Sequence, residues 1–145
     1  MYNQAYNAYR STNIKTASQG HLVVLLYEGA VKQLRMAKDF FEVDGKMKAR
    51  NIEKFNNCLQ KAEAIITELA VSLDMERGGE IAKNLMSLYI FFNSELMLAN
   101  INRDKQKLEF VLAQMEDLAE TWRRISSSAK NAPATNVSTA LNIEG

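Results

Sequence analysis

Proline occurs once in this chain, at Pro133, and glycine only six times in 145 residues, so little interrupts a helix before the C-terminal end. Strand-like alternation is nearly absent as well, and the apolar pattern is helical throughout. Histidine also occurs once, at His21, which rules out a site built on two histidine ligands. Without a Glu-x-x-His pair the di-iron carboxylate bundles are excluded too. The single cysteine, Cys58, has no histidine near it in sequence and reads as a packed thiol, not a nucleophile. One cysteine and no signal-like start point to a reducing, cytosolic setting. The charge is balanced, with 18 basic and 17 acidic residues and a net +1. That argues against a nucleic-acid protein or an anionic-membrane protein. The strongest apolar runs, residues 21–27 and 88–92, fall far short of the roughly 20 residues that span a bilayer, so no membrane insertion is expected. Gly78–Gly79 lies outside any phosphate-binding motif and reads as a turn. No metal, no cofactor and no catalytic constellation is expected, and the chain reads as a non-enzyme.

What is present is four amphipathic stretches. The length suits one domain, divided as a leader over 1–15, a helical bundle over 16–126 and a flexible tail over 127–145. Ser18 caps a first helix to about Phe41, with Leu22, Leu26, Ala30, Leu34, Ala37 and Phe41 on its core side. After the Asp44–Gly45 turn, a second helix runs from about Lys46 to Leu73. Its stripe of Ile52, Phe55, Leu59, Ala62, Ile66, Leu69 and Leu73 alternates three and four, the seam of antiparallel bundles. A third helix begins near Glu80. The polar turn Asn102–Asp104 leads to a fourth, with Leu108, Val111, Met115, Leu118, Trp122 and Ile125. Beyond Ser126 the composition is Ser, Ala, Asn and Thr, which reads as disorder. Short connections make neighbours antiparallel, so the expected fold is an all-α, up-down-up-down four-helix bundle. Its expected core includes Leu26, Leu34, Leu59, Ile66, Leu85, Phe92, Met115 and Trp122.

The third helix is more apolar than a bundle requires. In residues 81–101, 14 of 21 are Ile, Leu, Met, Ala, Phe or Tyr, and only Lys83 and Glu95 are charged. Burial needs one stripe, read as Ile81, Leu85, Leu88, Phe92, Leu96 and Ala99. That leaves Ala82, Met86, Tyr89 and Met97 on a second face roughly 100° away. A surplus apolar face of this kind marks a partner. At about 1.5 Å per residue the helix offers roughly 31 Å for the turns of an amphipathic segment. The alternative from another class is a self-associating structural bundle, pairing this face with its own copy.

Tyrosines 2, 6 and 9 are spaced four and three apart, which puts them on one face if the leader is helical. With them comes a resemblance. Residues 6–9 (YNAY), 16–18 (TAS) and 25–30 (LLYEGA) resemble the start of the flagellin export chaperone family FliS. So do 65–69 (IITEL), 72–74 (SLD), 78–82 (GGEIA), 84–85 (NL), 88–89 (LY), 98–100 (LAN) and Trp122. The match covers about 2–125 in register. The chain departs from the family at Gln19, where Pro is common, at Glu28, where Asp is common, and at Ile90–Phe91, where Asp-Tyr is common. The resemblance implies a cytosolic four-helix bundle that binds the disordered C-terminal segment of flagellin, one to one. It further implies that binding prevents premature polymerisation and that the cargo goes to the flagellar type III export apparatus. The flagellin contacts expected from the surplus face and the resemblance together are Tyr6, Tyr9, Tyr27, Met86, Tyr89, Ile90, Asn93, Met97 and Asn100. The leader tyrosines would complete or cover the groove, and homodimerisation of the free chain is the competing use of the same surface.

Overall fold

A computed structural model describes residues 19–130. Four helices follow one another: α1 Gln19–Lys38, α2 Ala49–Val71, α3 Gly79–Asn102 and α4 Lys105–Lys130. They form the expected antiparallel up-down-up-down bundle. α1 packs extensively on α2 and α4, and α3 closes the ring by touching both of these less tightly.

Each connection has a local cause. Between α1 and α2, Phe41 and Met47 form an antiparallel bridge around Gly45, whose φ of 83° a side chain rarely adopts. Asp44 Oδ1 accepts the Lys46 N–H at 2.9 Å. This bridge takes Phe41 and Lys46 out of the helices, so α1 ends three residues before the expected Phe41 and α2 starts three after Lys46. Between α2 and α3, Asp74 Oδ1 accepts the N–H groups of Glu76 and Arg77. Between α3 and α4, Arg103 adopts the left-handed conformation at φ 48°. The next residue, Asp104, then accepts from the N–H groups of Gln106 and Lys107 at 3.1 and 3.2 Å, an N-cap on two of the donors a helix start leaves open. α4 continues to Lys130, four residues past the expected end of the bundle at 126. Ser and Ala continue a helix, and no Gly or Pro intervenes before Pro133.

The core is built from Leu34, Phe55, Leu59, Ile66, Leu85, Phe92, Leu108, Val111, Met115 and Trp122, with their buried neighbours. Of the expected core, only Leu26 is merely half-buried, packed against the others. On α3 the buried stripe differs from expectation. Ala82 and Tyr89 take the inner positions, while Ile81 and Leu88 remain exposed. The helix is turned so that the Tyr89 hydroxyl meets Tyr27 across the centre of the bundle, where the two share a hydrogen bond. Tyr27 also stacks on Trp122 of α4, centroids 6.4 Å apart. Two polar tips on opposite helices thus satisfy each other in the apolar centre.

Candidate functional site

The helical spacing that buries Leu85, Tyr89, Phe92 and Leu96 leaves two flanks of α3 outside the core. On the flank toward α2 lie Met86, Ile90, Asn93, Met97 and Asn100, at intervals of four, three, four and three. Ile90 and Met97 are 63% and 50% exposed; the other three are half-buried. The two amides tie this flank to α2: Asn93 Nδ2 donates to Thr67 Oγ1 at 3.1 Å, and Asn100 Nδ2 donates to Asn56 Oδ1.

On the flank toward α4 lie Ile81, Leu88 and Phe91, all exposed. Phe91 meets Phe110 of α4 edge to face, centroids 6.2 Å apart, and both rings keep nearly half their surface in solvent. Lys107 of α4 pairs with Glu95 of α3 at 3.3 Å beside them. Among the described residues, α3 carries six of the twelve large exposed hydrophobics, so the molecule's uncovered apolar surface is concentrated on one helix.

The opposite side of the bundle has a different character. Arg35–Glu116, Lys38–Glu109 and Arg123–Glu28 cross between α1 and α4 at 2.6, 3.3 and 3.0 Å. These pairs sit in solvent and contribute little each, but they make this side a solvated one. A cleft of about 540 Å³ between α1 and α2 is lined by Gln33, Asn57, Gln60, Lys61, Ala64 and Ile65.

The expected contact residues divide. Met86, Ile90, Asn93, Met97 and Asn100 are brought together on one stripe. Tyr27 and Tyr89 are a correction: at 0% and 2% exposure they are core residues, not groove contacts. Burial, then the neighbouring Tyr27 hydroxyl, push the Tyr89 hydroxyl far above the usual phenol range, as expected for a neutral group sealed from water. Ala82, also expected outside, is buried. Tyr6 and Tyr9 lie outside the described residues, as does Tyr2. The flank of Ile81, Leu88, Phe91 and Phe110 was not anticipated. Its one sequence signal is Phe110, an aromatic off the core stripe of the fourth helix.

For chemistry, the described residues contain no group of three or more His, Cys, Asp or Glu placed to hold a metal ion. Cys58 is buried, and burial raises its thiol above the ordinary value despite Lys61 nearby, so little thiolate is present for nucleophilic attack. No described helix is long and apolar enough to cross a membrane.

Comparison with known proteins identifies relatives. Residues 1–129 match the family profile described as Flagellar protein FliS. The flagellar secretion chaperone FliS of Salmonella typhimurium is 37% identical over 117 residues, covering 80% of this chain and 82% of that protein. Its namesake from Vibrio cholerae is 33% identical over 126 residues, 87% and 88% of the two chains. The Bacillus subtilis protein of the same name is 30% identical over 125 residues, 86% and 88%. A match over nearly the whole chain, on a four-helix bundle with an uncovered apolar helix, places the chain in the FliS family of flagellar secretion chaperones.

Proposed function

We propose that this protein binds the C-terminal segment of flagellin on the outer face of α3, in the cytosol and one to one. It thereby keeps flagellin from polymerising early and presents it to the flagellar type III export apparatus. The reading draws on family membership, but the observation that carries it is the apolar stripe of half-buried Met86 and exposed Ile90 and Met97. A segment that orders only on binding loses part of its interaction energy to that ordering. It therefore needs a long apolar surface, and α3, at 24 residues, supplies about 36 Å of one. Methionine suits such a surface because its flexible side chain conforms to whatever docks. The role is non-enzymatic: the work is covering apolar surface.

The test is to mix the purified chain with a peptide of flagellin's C-terminal segment and measure the mass in solution. A one-to-one complex is expected, and Met97→Lys should weaken it by at least tenfold while leaving helicity unchanged. A stable homodimer that ignores the peptide would instead assign the α3 face to self-association.

A further inference from the structure

The α2–α3 seam is short of hydrogen-bond donors. Asn56, Glu63 and Thr67 occupy one stripe of α2, spaced seven and four apart. The outer two are bonded across to α3, Asn56 to Asn100 and Thr67 to Asn93, so Glu63 lies between the two crossings and faces the same way. Its carboxylate makes no ion pair and no hydrogen bond among the described residues, although it is half-buried. The two seams made by α4 behave differently. Glu28, Glu109 and Glu116 are each paired with a basic residue across the α1–α4 seam, and Glu95 is paired across α3–α4. A second acceptor on the α2–α3 seam, Asn93 Oδ1, is buried without a partner among the described residues. Loss of hydration raises the Glu63 carboxyl above the ordinary range, with no cation to offset it.

Of the apolar stripe Met86, Ile90 and Met97, only Met97 lies between the same two crossings, so the stripe ends beside an acid that nothing among the described residues neutralises. We infer that the segment docking on the α2–α3 seam carries a lysine or arginine beside its apolar stripe, and that this cation pairs with Glu63. The inference rests on the reading of α3 as the flagellin-binding face and adds a chemical requirement on the client. An amphipathic helix laid along Met86, Ile90 and Met97 places the edge of its apolar stripe over the seam, within reach of α2. A basic residue at that edge meets a carboxylate already stripped of part of its water. Such a pair fixes which turn of the client sits beside Met97, something a featureless apolar stripe cannot do.

The experiment titrates the full chain and its Glu63→Gln and Glu63→Lys variants with the flagellin C-terminal peptide, at low and high salt. Glu63→Gln should weaken binding on the order of tenfold and flatten its salt dependence. Glu63→Lys should weaken it further, and exchanging one basic residue of the peptide for glutamate should restore that variant and no other. Melting curves check folding; if the lysine variant misfolds, the isosteric glutamine variant decides. Equal affinity of parent and Glu63→Gln at both salt concentrations would overturn the inference while leaving α3 as the binding face. A parent chain that does not bind the peptide overturns both.

Discussion

Tyr89 shows how far one residue's role depends on a neighbour 62 positions away in sequence. Its ring fills the centre of the bundle, and its hydroxyl is accommodated there because Tyr27 meets it. Truncation should therefore act on stability first. Tyr89→Ala should cost roughly 3–5 kcal/mol in urea unfolding, the scale for removing a large buried ring. Tyr89→Phe, which keeps the ring, should cost about 1 kcal/mol. An alanine variant as stable as the parent would return Tyr89 to the surface. Glu63 should behave in the opposite sense. Burial raises its carboxyl above the unfolded value, so the folded chain holds the proton more tightly. That contribution to stability is full below the ordinary glutamate range and is lost as pH rises through the raised value. At neutral pH the ionised group is a cost that Glu63→Gln removes. The variant should melt higher than the parent at pH 7, with the gap closing below about pH 4. A variant that melts lower at pH 7 would mean that the carboxylate is favourably placed in the free chain.

At the scale of the helix, α2 and α4 are legible because each has one apolar stripe, and three-four spacing then fixes the inward side; in α1 the same spacing puts Leu26 inward and Tyr27 outward, and the structure buries Tyr27 more deeply than Leu26. Phe55, Leu59, Ala62, Ile66 and Leu69 lie where their spacing puts them. α3 was legible as a helix but not in its rotation. Ile81 and Leu88 are as apolar as Ala82 and are separated from Leu85 by the same intervals as a core stripe, so periodicity cannot choose between them. The choice is made across the core by Tyr27 and Trp122, which local sequence does not display. The candidate site inherits this ambiguity: Met86, Ile90 and Met97 were found because they lie outside either rotation, whereas Tyr89 changes sides with it. Helix ends were legible where chemistry marks them. Asp104 caps α4 through two backbone donors, and Asp104→Ala should lower stability by about 0.5–2 kcal/mol. Thermal melting measures this; an unchanged midpoint would mean that solvent satisfies those donors equally well.

The whole molecule has two unlike sides. Ion pairs cross between α1 and α4 on one, and apolar side chains stand uncovered along α3 on the other. The bundle itself could be inferred from four stripes and short turns; this asymmetry could be inferred only in part, since Phe91 and Phe110 come together through tertiary packing. Between the two sides lies the sole tryptophan, 4% exposed and stacked on Tyr27. That placement makes the protein its own optical gauge. Indole emission shifts to longer wavelength when water reaches the ring, and Trp122 is shielded from both surfaces. A client that docks on the outside of α3 should leave the emission maximum where it is in the free chain. A client that works by prying α3 from the bundle would separate Tyr89 from Tyr27, admit water and redden the signal. One emission spectrum of the complex, taken with a tryptophan-free peptide, therefore distinguishes a chaperone that lends its surface from one that opens its core.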